Sequence, residues 1–116
     1  MKNRPFTQRL SFALAGIAAA WRRERSLRMQ SAVALAALVV LAVFRASAVW
    51  WAVVVLAVVA VLAAELFNSA LEALADHLHP DRHPEIGAMK DMAAGAVLVV
   101  SLGAAVVGAL FLWSQV

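Results

Sequence analysis

Apolar residues run almost unbroken through three stretches of the chain, at about residues 27–44, 48–71 and 92–113. The third stretch has no charged residue over its 22 positions, and a helix of that length can cross the hydrocarbon core of a bilayer. Only residues 45–47 separate the first two stretches, so two helices there must run antiparallel. The pattern therefore predicts three transmembrane helices.

The segment before the first span, about residues 6–24, has a different pattern. Its large apolar residues recur every three or four positions, as on one face of an α-helix: Phe6, Leu10, Leu14, Ile17 and Trp21. Polar residues and alanine fill the other face, which predicts an amphipathic helix at the membrane surface. Arginines follow its alanine-rich part instead of preceding it, an order that does not fit a cleaved signal peptide.

A row of polar residues interrupts the second span near its end. We call it the polar stripe, and its members are Glu65, Asn68, Glu72 and Asp76. Their spacing places them on one face of a helix over about 16 Å, because each turn takes 3.6 residues. Ionisable groups are costly to hold in a membrane and usually have a function there. Three carboxylates and an amide suit a divalent cation and a phosphorylated ligand.

The polar segment 77–87 separates the second and third spans. We expect Pro80 and Pro84 to break any helix there and Asp91 to cap the third helix. Three histidines lie in or beside this segment, and we interpret them as loop residues because neither helical spacing nor a thiolate supports a metal site: His77, His79 and His83.

Positive charge predicts the orientation of the chain. Seven of the ten Lys and Arg residues lie before the uncharged core of the first span, which starts at Met29, whereas the first loop holds only Arg45 and the second holds Arg82 and Lys90. Basic residues favour the cytoplasmic side, so the N-terminus and the second loop are predicted to be cytoplasmic. Every acidic residue then lies at, or opens towards, that side, where nucleotide and membrane lipid meet.

Composition excludes several classes of function. The chain has 116 residues, of which 65% are hydrophobic, and this indicates one small integral membrane domain over residues 1–116. It has no cysteine, which excludes disulfides and thiolate sites. The basic N-terminal cluster has only Trp21 nearby as a stacking surface, so it suits anionic lipid better than nucleic acid.

The charged residues fit phosphoryl transfer to a lipid alcohol. Glu24 and Glu72 are suited to hold Mg²⁺ bound to phosphate oxygens, and the ammonium of Lys90 to neutralise the transferring group. Glu65 lies deepest, where desolvation makes a carboxylate a better base for a hydroxyl at headgroup level. No Gly-rich phosphate loop is present in the sequence, so ATP must be bound by side chains and metal.

Three segments resemble motifs of the small prokaryotic diacylglycerol kinase family. Residues 65–76 follow its signature, Glu-x-x-Asn-Ser/Thr-Ala-hydrophobic-Glu-x-x-x-Asp. Residues 88–97 are similar to its second motif, and Glu24 with Arg28 to its N-terminal one. The likeness extends from about Phe6 to Trp113.

The resemblance implies an all-α membrane protein, assembled as a homotrimer with active sites shared between subunits. It implies ATP- and Mg²⁺-dependent phosphorylation of diacylglycerol to phosphatidic acid at the bacterial inner membrane. The implied catalytic base is Glu65, the implied metal ligands are Glu24 and Glu72, and Lys90 binds phosphate. Further implied contacts are to lipid for Asn68 and Arg28, and to nucleotide for Asp76, His83, Glu85, Gly87 and Asp91.

Undecaprenol is the alternative acceptor. The pair His83-Pro84 and the Ala-Ala-Gly-Ala-Val run at 93–97 are similar to the branch of the family that phosphorylates undecaprenol. Gln30 stands where the diacylglycerol kinase branch often has a glutamate, so no metal is assigned to it.

Simpler interpretations stay open at this point. For Glu65 and Asn68, the simpler interpretation is a hydrogen-bonded pair that joins helices. For Glu24, it is a salt bridge with Arg28 one turn away. Alternatives of another class are a trimeric ion channel lined by Glu65 and a non-catalytic assembly protein. Lys90 argues against the channel, because a cation pore would exclude a lysine from its lining.

Overall fold

A computed structural model of the chain describes residues 3–81 and 83–116, which form four α-helices in a row. They are α1 (Phe6–Arg23), α2 (Arg25–Val43), α3 (Ala48–Leu78) and α4 (Pro84–Ser114). The last three are long and apolar enough to cross a membrane. The predicted all-α class, with three spans after an N-terminal surface helix, is confirmed. Lys2 and Arg82, which contribute to the predicted orientation, lie outside the described residues.

Helix α1 keeps its apolar face uncovered, and none of its residues is buried. A helix with an open apolar stripe and a polar opposite face is typical of the membrane interface. At its end Glu24 adopts an extended conformation, with φ −111° and ψ 109°, which separates α1 from α2. The guanidinium of Arg28 donates to the carbonyls of Trp21 and Arg22 and so stabilises the last turn of α1.

Helices α2 and α3 form the antiparallel hairpin expected from their short connection. The end of α2 is a Schellman motif, in which Ala46 N–H donates to Leu41 O at 3.0 Å and Arg45 N–H to Ala42 O at 3.2 Å. Arg45 therefore takes the left-handed conformation, with φ 52°, that glycine usually occupies. The turn is closed by backbone hydrogen bonds at the expense of strain at one residue.

The best-buried apolar cluster lies at this hairpin end of the bundle. Leu41, Val54 and Phe111 meet there from α2, α3 and α4. The Phe111 ring lies 5.3 Å from the Trp50 ring, edge to face, and 5.9 Å from that of Phe44. Aromatic pairs at such distances add to simple area burial. We call this group the aromatic cluster.

Three expectations about the second loop are wrong. Pro84 begins α4 instead of breaking a helix, because the first helical position needs no N–H. The N-cap of α4 is His83, whose Nδ1 accepts a hydrogen bond from Glu85 N–H at 3.2 Å. Asp91 is not a cap, since it lies about two turns inside α4. His77 is not a loop residue either, since it belongs to the last turn of α3.

Candidate functional site

The polar stripe lies on a continuous stretch of α3 at the end of the bundle opposite the aromatic cluster. Because α3 continues without a break to Leu78, its four residues share an arc of about 80° on the helix. The start of α2 and the start of α4 lie at the same end, since both helices run antiparallel to α3. The candidate site is therefore built from three helices and the end of α1.

Glu65 is the buried member of the stripe, with only 3% of its surface exposed. Its Oε2 accepts a hydrogen bond of 3.0 Å from the hydroxyl of Ser26, in the first turn of α2. Within residues 3–81 and 83–116 this is its only protein hydrogen bond, whereas a buried carboxylate has room for several. Oε1 of Glu65 therefore accepts no hydrogen bond from the described part of the chain.

Asn68 follows Glu65 by about one turn, and its Oδ1 is buried without a hydrogen-bond partner in the described part of the chain. The structure does not pair it with Glu65, so the simple interpretation of these two residues as a helix-joining pair is not supported. Native proteins pair nearly all buried polar atoms, and an exception needs an explanation. A ligand that donates a hydrogen bond at this point provides one.

Lys90 connects the start of α4 to the stripe. Its ammonium lies 2.7 Å from Oδ1 of Asp76 in an ion pair that is partly open to solvent. The carboxylates of Glu72 and Asp91 also act on this ammonium electrostatically. Four charged residues predicted from the sequence as site members therefore lie in one electrostatic group at the polar end.

Glu24 faces a neighbouring part of this end. With Arg23 and residues of α1 it lines a pocket of about 450 Å³ against α3, where Ser69 is buried. The carboxylate of Glu24 makes no capping hydrogen bond to α2, and Arg28 bonds to α1 carbonyls instead of pairing with it. The simple interpretation of Glu24 as the salt-bridge partner of Arg28 is therefore not supported.

The two predicted metal ligands do not share one pocket. The α3 residues that line the Glu24 pocket are centred roughly 100° around the helix from the polar stripe, which carries Glu72. Among the described residues no three His, Asp or Glu side chains converge as a metal-binding group. The oxygen donors present still suit Mg²⁺, which often uses one or two carboxylates and takes its other ligands from phosphates and water.

The three loop residues assigned to nucleotide lie at the start of α4. His83 caps the helix, Glu85 occupies its first turn, and Gly87 N–H donates to the carbonyl of His83 at 2.8 Å. The rings of His79 and His83 lie 5.1 Å apart, edge to face. These residues border the Lys90 group without joining it.

Sequence analysis missed two serines of this site. Ser69 is part of the motif that follows Glu65, so its burial could have been anticipated from its position one turn after that carboxylate. Ser26 carries no comparable signal, because its contact with Glu65 depends on how α2 packs against α3.

Comparison with known proteins gives a consistent result. Residues 11–112 match the model of the family described as Prokaryotic diacylglycerol kinase. A diacylglycerol kinase of Escherichia coli (strain K12) is 31% identical over 100 residues, which cover 86% of this chain and 82% of that protein. An undecaprenol kinase of Bacillus subtilis (strain 168) is 33% identical over 89 residues, which cover 77% of this chain and 72% of that protein.

Proposed function

The chain belongs to the prokaryotic diacylglycerol kinase family, and we propose that it transfers the γ-phosphoryl group of ATP to diacylglycerol, forming phosphatidic acid. The observation that supports this most is the environment of Glu65. This carboxylate is only 3% exposed in an apolar helix, and Ser26 holds one of its oxygens. Such surroundings suit a proton-accepting base better than a surface charge.

In the proposed reaction Oε1 of Glu65 accepts the proton of the lipid hydroxyl. The hydroxyl oxygen forms a bond to the γ-phosphorus as the bond from that phosphorus to the β–γ bridging oxygen breaks, and ADP leaves with the electron pair. Ser26 keeps the carboxylate oriented, because its hydrogen bond fixes the other oxygen. The unpartnered amide oxygen of Asn68 lies about one turn away. It accepts a hydrogen bond from a bound substrate and so helps to position that substrate.

Lys90 is the proposed contact to the transferring phosphoryl group. Asp76 holds its ammonium in place before ATP binds, and the phosphoryl oxygens then compete for the same charge. Glu24 and Glu72 are the proposed carboxylates for Mg²⁺, which when bound neutralises phosphate charge. Asp91 adds to the field at Lys90, and His83, Glu85 and Gly87 border the nucleotide.

A homotrimer with shared sites is part of the proposal. Glu24 and Glu72 do not face one pocket, so a neighbouring subunit would complete the ligand set. Large apolar side chains of α4 stay exposed along its length, which suits contact with lipid or with another subunit: Leu98, Val99, Leu102, Val106 and Leu110. We place the polar end at the cytoplasmic face of the inner membrane, because the basic residues gather there.

Undecaprenol is the second candidate acceptor. It is favoured by the Bacillus subtilis relative, which is named an undecaprenol kinase and is 33% identical over 77% of this chain, against 31% over 86% for the Escherichia coli diacylglycerol kinase. The same base and the same phosphate contacts would serve either alcohol, so the site chemistry does not separate them.

The test is a transfer assay with the purified protein in lipid nanodiscs. Radiolabelled ATP and Mg²⁺ are supplied with either dioleoylglycerol or undecaprenol, and the lipid product is identified by chromatography. The proposal predicts labelled phosphatidic acid, and loss of transfer when EDTA removes the metal. Faster labelling of undecaprenol would establish the alternative acceptor, and no labelled lipid at all would end the kinase proposal.

A further inference from the structure

A second cavity, open on one side, lies between α2, α3 and α4, and some of its lining residues, such as Val33, stay exposed. Its volume is about 420 Å³, and its walls are apolar residues with two polar exceptions, Gln30 of α2 and Ser101 of α4. Nε2 of Gln30 donates a hydrogen bond to Oγ of Ser101 at 3.4 Å, near the upper limit for such a contact. We call this space the bundle cavity.

The bundle cavity begins directly below the proposed base. Gln30 lies one turn beyond Ser26 on α2, and Val61, which lines the cavity, lies one turn before Glu65 on α3. Residues one turn apart on a helix are about 5–6 Å apart at their Cβ atoms. From Gln30 the cavity follows α2 to Leu41 near the aromatic cluster, a length of about 16 Å.

The polar pair has unused hydrogen-bonding capacity. The amide of Gln30 has a second N–H, and the hydroxyl of Ser101 can donate as well as accept. Across the described ranges, the bond between these two residues is the only side-chain hydrogen bond that either one makes. In an apolar, membrane-embedded space a free donor is stabilised by an acceptor that arrives with a ligand.

Resting on the proposed lipid kinase function, we propose that the bundle cavity holds an acyl chain of the acceptor lipid, and that Gln30 and Ser101 donate a hydrogen bond to its ester carbonyl. A diacylglycerol carries an ester carbonyl a few bonds below its free hydroxyl and an apolar chain below that carbonyl. This order matches Glu65, the polar pair and the aliphatic walls. A polyprenol has no carbonyl, so the pair determines specificity for glycerides.

The kinetic test compares Gln30→Leu with the parent protein on both lipids. We expect the KM for dioleoylglycerol to rise about fivefold, the kcat to stay within about twofold, and the KM for undecaprenol not to rise. Ser101→Ala, which removes the hydroxyl with little change in volume, should produce a smaller change in the same direction. Met29→Leu is the matched control, because Met29 neighbours Gln30 but is exposed and lies outside the cavity lining.

Three kinetic results would overturn the proposal. Equal changes for both lipids would assign the pair a packing role only. An unchanged KM for dioleoylglycerol in Gln30→Leu would rule out a hydrogen bond from Gln30 to the ester carbonyl. A parent protein that uses undecaprenol in preference to dioleoylglycerol would exclude selection for glycerides.

A labelling experiment separates this inference from the kinase proposal, because it needs no turnover. A diacylglycerol with a diazirine in its acyl chain should label peptides of α2 and α4, and Ala104→Phe, which fills the cavity, should abolish this labelling. Labelling that persists in Ala104→Phe, or that never occurs at the cavity, would contradict the inference. Labelling of the cavity in a protein that transfers no phosphate would contradict the kinase proposal but not the proposed acyl-chain site.

Discussion

The two ends of the helical bundle differ in how completely their side chains are paired. At the hairpin end Leu41, Val54 and Phe111 are buried against one another, and Phe111 packs on the rings of Phe44, just after α2, and Trp50 of α3. At the polar end Glu65 is buried with a single partner and Asn68 has a buried oxygen with none in the described chain. Both ends belong to the same three helices.

This difference indicates a division of roles along each helix. Close packing supplies most of the affinity between helices in a membrane, so the aromatic cluster holds the bundle together. Under-paired polar groups do the opposite, since they reduce stability until a ligand satisfies them. Function is therefore expected to be sensitive at the polar end, and folding at the hairpin end.

The largest expected effect is on catalysis, at Lys90. Lys90→Met should lower kcat for lipid phosphorylation about a thousandfold, because no other cation is paired with the stripe in the described structure. The stability of the folded protein should change little, since the ion pair with Asp76 is partly exposed. Arg9→Met, which removes an exposed charge from α1, is the control for net charge. Parent-like turnover in Lys90→Met would show that lipid phosphorylation does not need the ammonium of Lys90.

At Asn68, one substitution is expected to lower activity and raise stability at the same time. Asn68→Leu should reduce transfer about a hundredfold and raise the unfolding free energy by about 1 kcal/mol, because it removes an unpartnered buried oxygen. Activity and unfolding in mixed micelles are measured on the same preparation. Phe67→Leu, at the exposed neighbouring position, should leave both nearly unchanged. A loss of stability in Asn68→Leu would mean that the amide has a structural partner after all.

The hairpin end should respond in the opposite way. Phe111→Ala should lower the unfolding free energy by about 2 kcal/mol through lost packing with Trp50 and Phe44. The kcat at saturating lipid should stay within about twofold in the folded fraction, because Phe111 lines only the far end of the bundle cavity and is distant from the stripe. Val49→Ala removes an exposed apolar side chain next to Trp50 and serves as the control. A large fall in kcat without loss of stability would break the division of roles.

The smallest effect is expected at the turn of the hairpin. Arg45→Gly should raise the unfolding free energy by about 1 kcal/mol, because glycine adopts the left-handed conformation without strain. Arg45→Ala removes the same charge but keeps the strain, so it should not stabilise the protein. Equal behaviour of the two variants would attribute any change to charge and not to backbone conformation.

The sequence predicts the parts of this molecule that depend on periodicity. Three apolar runs and a polar stripe with helical spacing are sufficient to predict the spans and to place Glu65 and Asn68 on one face. Contacts between helices are harder to predict from sequence. The hydrogen bond from Ser26 to Glu65, for example, depends on packing that no local pattern encodes. The position of Pro84 is ambiguous from sequence because proline both ends helices and begins them, and its neighbour His83, not Asp91, caps α4.

The most direct test of the whole account is phosphate transfer by Glu65→Gln. Gln and Glu have nearly the same shape, so the contact with Ser26 and the assembly of the protein should be retained while the base is lost. We predict that the variant, reconstituted in nanodiscs with ATP and Mg²⁺, elutes like the parent protein on gel filtration and phosphorylates no lipid above background. Parent-like lipid phosphorylation by Glu65→Gln would contradict the claim that this buried carboxylate is the catalytic base.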